Sequence, residues 1–119
     1  MIERLSPPGA PVPKGPYSPA VKAGGFLFLA GQVPGTKGTI QEETHQVLTS
    51  VKSMLEGLGS SMAEVVRVGV YLADGGDFAA MNGVYAEYFG DNKPARTTIV
   101  CKFAADIKIE VDCVAYPGV

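Results

Sequence analysis

The chain has 119 residues, 46% of them hydrophobic and 18% charged, with ten Lys and Arg against twelve Asp and Glu for a formal charge of −2. That length buries one core and not two, so a single domain over 1–119 is expected. The charge balance offers little attraction to a phosphate backbone, so a nucleic-acid partner is not expected, and no stretch approaches the roughly 20 apolar residues of a spanning helix.

In chain order, Ser6 to Ser18 holds Pro7, Pro8, Pro11, Pro13 and Pro16, which fix φ and remove backbone donors, so an extended surface loop is expected. Phe26 to Ala30 is a short apolar run between Gly24-Gly25 and Gly31 and reads as a buried strand. Thr39-Ile40-Gln41-Glu42 has capping-box spacing. The helix it opens places Val47, Leu48, Val51, Met54, Leu55 and Leu58 on one face, until Gly57 and Gly59 end it.

Val66, Val68, Val70 and Leu72 alternate with Val65, Arg67, Gly69 and Tyr71, the period of a strand. Asp77 is placed to cap a second helix carrying Phe78, Met81, Val84, Tyr85, Tyr88 and Phe89 at helical spacing, and Pro94 forbids its continuation. Two strands follow, Thr97 to Phe103 and Ile107 to Ala115. In the second, Ile107, Ile109, Val111 and Cys113 face one side and Lys108, Glu110 and Asp112 the other. The order implies an α+β two-layer sandwich with both helices on one face of a single mixed sheet. The sheet's other face combines charge with apolar area, as at a symmetric subunit interface, although a solvated face fits equally.

Three residues can carry chemistry, and each has an ordinary reading beside it. Tyr17, in Gly15-Pro16-Tyr17-Ser18, follows a rigid turn that can hold its phenol towards a pocket, or it simply packs on the surface. Arg96, after Pro94-Ala95, can grip a carboxylate through two parallel hydrogen bonds, or be a solvated charge. Glu110 can handle protons if a pocket partly desolvates it, or belong to a solvated strand face.

Other chemistries lack a pattern. There is no Gly-rich phosphate motif, and His45 is the only histidine, with no partner at ligand spacing for a metal and none for a nucleophilic triad. Cys101 and Cys113 are poorly placed for a bridge, because a hairpin turning near Ala105 would set Cys101 across from about Ile109.

Gly15-Pro16-Tyr17-Ser18, Ala30-Gly31-Gln32-Val33-Pro34, Gln46-Val47-Leu48, Asp77-Phe78, Asn82, Tyr85, Tyr88-Phe89, Pro94-Ala95-Arg96 and Ile109-Glu110-Val111, taken in order, resemble the signature of the RidA family of reactive-intermediate deaminases, also described as the translation-inhibitor endoribonuclease L-PSP family. The resemblance implies a chorismate-mutase-like subunit in a homotrimer with a cleft at each interface. It also implies hydrolysis of 2-imino and 2-enamino acids, such as 2-aminoacrylate, to ketoacids and ammonia, with no metal or organic cofactor and with small imino and keto acids as partners. On this reading Arg96 binds the substrate carboxylate, Thr98 lines the same site, and Tyr17 and Glu110 line the cleft and activate water.

Ala30 stands where many members have serine, Thr98 where many have cysteine, and the stretch from Arg96 to Glu110 is one residue shorter than usual. The alternatives are a non-catalytic trimer that senses small carboxylates, and a ribonuclease or translation inhibitor. A cytoplasmic protein is expected, with a mitochondrial location left open.

Overall fold

Residues 1–118, described by a computed structural model, place two helices on one face of a six-stranded mixed sheet. The strands are β1 (Glu3–Leu5), β2 (Ala20–Ala23), β3 (Phe26–Gln32), β4 (Val65–Leu72), β5 (Ala95–Val100) and β6 (Ile109–Ala115), and the helices are α1 (Ile40–Gly57) and α2 (Phe78–Phe89). The sheet order is β1-β2-β3-β6-β4-β5, with β4 and β5 parallel and every other neighbouring pair antiparallel. Among the described residues no helix is long and apolar enough to cross a membrane.

α1 forms for the reasons its sequence gives. Thr39 accepts from the Glu42 N–H at 3.1 Å while the Glu42 carboxylate accepts from the Thr39 N–H at 2.8 Å, closing the capping box. These contacts also hold the Glu42 carboxyl below its usual range. At the other end Ser60 N–H reaches the Leu55 carbonyl and Gly59 N–H the Glu56 carbonyl. This reversal needs a left-handed residue, and Gly59 has φ +81°. Val47, Leu48, Val51 and Leu55 are fully buried against Leu27, Val68, Val70, Ile109 and Val111 of the sheet. Each such side chain contributes about 1.5–3 kcal/mol by leaving water.

Several expectations need correction: Phe26 and Phe28 of the run expected to be buried are exposed, and the last two strands span Ala95–Val100 and Ile109–Ala115. β5 and β6 do not form a hairpin: α2 is the crossover of a parallel β4-α2-β5 unit, so β4 lies between them. The connection from Cys101 to Lys108 passes the end of β4, where Cys101 N–H bonds Leu72 O and Ala73 N–H bonds Lys108 O. Both cysteines are free. Asp77 does not cap α2 with its side chain; Asp74 does the local work, accepting from Gly76 N–H at 2.8 Å in the 3-10 turn that leads into the helix.

Val66 is exposed and Val65 buried, because a bulge between Val65 and Arg67 reverses the alternation there. Finally, β1 and β2 extend the sheet beyond the strands expected, and β3 runs on to Gln32.

One buried charge joins the layers. Glu43 is wholly enclosed at the start of α1, and its carboxylate accepts from Gly38 N–H (3.1 Å), Lys108 N–H (2.8 Å) and the Lys108 ammonium (3.3 Å), which also donates to Gly38 O at 2.7 Å. A carboxylate tolerates such burial only when its oxygens are supplied with donors in this way. Lys108 is thereby drawn to the helix rather than left on the open face with Glu110.

Candidate functional site

Glu110 projects from the sheet face opposite the helices. Ile109 and Val111 on either side of it are buried in the core, and its cross-strand neighbour on β4 is Tyr71. On its other flank is β3, where the register shifts between Leu29, paired with Cys113, and Gln32, paired with Val111. The extra residue lets Gln32 turn into the core, accepting from Ser50 Oγ of α1 at 2.6 Å and donating to the Ala30 carbonyl at 2.9 Å.

Gly31 is left beside Glu110. A Cβ on Gly31 would stand 1.9 Å from Glu110 Oε2, so the carboxylate occupies space that only glycine leaves open. Partial burial, and then the charge of Asp112, push the Glu110 carboxyl above its usual range. Asp112 in turn accepts from the Tyr71 hydroxyl at 3.0 Å.

Tyr17 reaches the same part of the molecule. Its N–H closes a tight turn onto Gly15 O at 2.9 Å, and Pro19 O accepts from Ala30 N–H at 3.0 Å, tying the proline loop to β3. A cleft of about 140 Å³ is lined by Pro13, Tyr17, Ala30, Gly31 and Val33, and the phenol is half exposed beside it. A phenol at a cleft and a carboxyl with a raised proton affinity next to one of its walls can together hold a water and exchange its proton.

Arg96 lies elsewhere. It pairs with Val68 on the outer strand β5, and Thr98 with Val70, so both point to the side covered by helices. The guanidinium stacks over Tyr85, 4.7 Å from the ring centroid, and beside Phe78 at 5.6 Å, both on α2. Phe78, one of the apolar residues at helical spacing in α2, is 46% exposed and lies beside Arg96. A cleft of about 310 Å³ is lined by Asn82, Tyr85, Phe89, Lys93, Pro94 and Arg96. Thr98 Oγ1 and the Tyr85 hydroxyl are buried with no hydrogen-bond partner among the described residues. Burial also pushes the Tyr85 phenol up from its ordinary value.

The four residues expected to form one site therefore fall into two groups with the sheet between them, Tyr17 and Glu110 on one side and Arg96 and Thr98 on the other. Sequence reasoning did not single out Gly31 and Tyr85, which lie directly against Glu110 and Arg96. The bulge that makes Gly31 necessary has no local motif, whereas Tyr85 falls on the α2 face that packs inward. His45 sits apart, its Nδ1 3.0 Å from the Tyr88 hydroxyl. Among the described residues no group of three His, Cys, Asp or Glu side chains is arranged to hold a metal.

Comparison with known proteins matches this arrangement to a family. The model described as endoribonuclease L-PSP matches residues 8–117. A RutC family protein of Pyrococcus horikoshii is 48% identical over 124 residues, covering 98% of each chain. The crystal structure of yeast Mmf1 superposes with a TM-score of 0.93 at 33% identity, covering 99% of this chain and all of that one. A YjgF family member from Neisseria meningitidis gives 0.87 at 32% identity, covering 100% of this chain and 97% of that one. With the fold, the motifs and these matches in agreement, the chain belongs to the endoribonuclease L-PSP family, the RidA family that its motifs resemble.

Proposed function

We propose that this protein hydrolyses 2-imino acids, and the enamines that tautomerise to them, to 2-ketoacids and ammonia, in clefts between the subunits of a homotrimer. The observation that carries the proposal is the division of the residues into two incomplete halves. Arg96 offers an anion clamp without a proton-handling group, and Glu110 with Tyr17 offers proton handling without a clamp. Docking the open face of one subunit against the β5 edge of the next would supply each cleft with both. Exposed Phe26, Phe28, Ile99 and Tyr116 give that open face the apolar area an interface uses.

In such a cleft Arg96 pairs with the substrate carboxylate and fixes the C=N carbon. Ionised Glu110 takes a proton from water as the water oxygen bonds to that carbon, and the C=N π electrons move to nitrogen, to which Glu110 passes that proton. The carbinolamine then collapses: Glu110, ionised again, takes the hydroxyl proton as the C=O bond forms and gives it to the nitrogen as the C–N bond breaks, so the nitrogen leaves as ammonia. Tyr17 donates from its phenol to orient the water. Thr98, two residues after Arg96 on the same face, lines the clamp side. Imines hydrolyse unaided, so modest assistance suffices.

The test is ketoacid release from freshly generated 2-aminoacrylate, with wild type set against Arg96→Ala and Glu110→Gln. Release above the spontaneous rate by wild type and by neither variant is expected; no acceleration across several imines would refute the proposal. The family's description as an endoribonuclease supports a second reading. The charge of −2 gives RNA little attraction, and cleavage of single-stranded RNA that Glu110→Gln abolishes would establish it.

A further inference from the structure

We infer that Phe78 and Tyr85 are positioning residues for Arg96, forming an aromatic bracket that aims the guanidinium and so sets the affinity for a carboxylate ligand. The inference rests on Arg96 being the clamp of the function proposed above.

Arginine on an outer strand is ordinarily a poor clamp, because its long side chain samples many rotamers and each must be given up on binding. Here two rings remove that freedom beforehand. Tyr85 forms the rigid floor: it is 9% exposed, belongs to the core cluster, and is itself held by Phe89 with ring centroids 4.6 Å apart. Phe78 stands at the first position of α2, almost half exposed, with its ring within 5.6 Å of the guanidinium carbon. That contact accounts for a large apolar side chain left in solvent at a helix start. A guanidinium held over ring faces can still present its N–H edges to a bidentate carboxylate, and among the described residues Arg96 makes no hydrogen bond to an acidic side chain that would compete for them. The Tyr85 hydroxyl has no hydrogen-bond partner among the described residues, and positioning is assigned to the ring, although the Arg96 charge also reaches the phenol oxygen.

The chain has only three arginines, Arg4, Arg67 and Arg96, so a protein labelled with 15N at arginine gives a side-chain spectrum simple enough to read. The Arg96 Nε–H signal is identified by its loss in Arg96→Ala. In wild type it should be displaced by ring currents and ordered without any ligand. Phe78→Ala, which removes an exposed ring and opens no core cavity, should shift it towards the other arginines and make it mobile. Pyruvate affinity by calorimetry should weaken about three- to tenfold, with KM for the imine rising in step.

Tyr85→Phe should match wild type, and Tyr85→Leu should resemble Phe78→Ala. An Arg96 signal and a pyruvate Kd that Phe78→Ala leaves unchanged would overturn the bracket, as would a loss in Tyr85→Phe equal to that in Tyr85→Leu. If the signal responds as expected while wild type binds no pyruvate and hydrolyses no imine, the bracket holds and the proposed function fails.

Discussion

Replacing Gly31 with alanine puts one methyl group where the Glu110 carboxylate now sits. The added carbon would lie 1.9 Å from Oε2 and 2.8 Å from the carboxyl carbon, while only 3.1 Å from Cγ. To restore an ordinary contact the oxygen must withdraw by roughly 1.5 Å. The side chain can do so by swinging a torsion about 30° off its rotamer, at about 0.5–1.5 kcal/mol, and the substitution returns about 0.4–1 kcal/mol by stiffening the unfolded chain. These terms nearly cancel, so the urea midpoint should move little.

Catalysis should not be spared, since a misplacement on this scale costs on the order of a hundredfold in rate. Steady-state ketoacid release from 2-aminoacrylate, with urea unfolding on the same preparations, separates the two effects. Unaltered kcat/KM in a well-folded Gly31→Ala protein would refute the claim that Glu110 works from its place beside Gly31. A large loss of stability would show instead that the glycine is required by the bulge itself.

Three other outcomes are expected. Glu110 has its carboxyl raised by burial, and the base role proposed for it requires the ionised form, so kcat/KM should fall as the pH drops through that raised value. A folded-state pKa above the unfolded one adds stability at low pH that is lost as pH rises through it, so Glu110→Gln should unfold at higher urea than wild type at neutral pH. The difference should vanish near pH 3, below the unfolded value of about 4.3, and a difference independent of pH would contradict this. Glu43→Ala should cost about 2–3 kcal/mol by orphaning the Gly38 and Lys108 N–H groups, and Glu43→Gln, which keeps an acceptor, should cost less. A urea-derived loss below about 0.5 kcal/mol in the alanine variant would place it among ordinary surface changes and sink the argument.

Much of this was legible in the sequence where periodicity is long and unambiguous. The capping box at Thr39 and the stripe from Val47 to Leu55 describe α1 as found, and the alternation from Ile109 to Cys113 correctly turns Glu110 away from the core. Glu43 was missed although it lies four residues before Val47 on the same stripe, because the eye reads a charge in the first turn as a response to the helix dipole.

β1 and β2 have three and four residues, too few to show a period. The sheet order escaped because adjacency in sequence suggested a hairpin, whereas α2 commits β5 to run parallel to β4. With that order unknown, the polarity of β5 pointed the wrong way: Arg96 and Thr98, the more polar set, share the helix-covered side with Val68 and Val70, while Ile99 is left exposed on the other.

The irregularity in β3 makes strand length a constraint of its own. On either side of Ala30 and Gly31 the strand keeps two different phases, Leu27 and Leu29 inward before it and Gln32 inward after it. A chain one residue shorter at this point would keep every residue type it needs and still fail, because the second phase would invert. Gln32 would then lose Ser50, or Gly31 would carry its empty space away from Glu110. Substitutions here test chemistry, whereas a deletion tests counting, and the placement of Gly31 against Glu110 depends on the count.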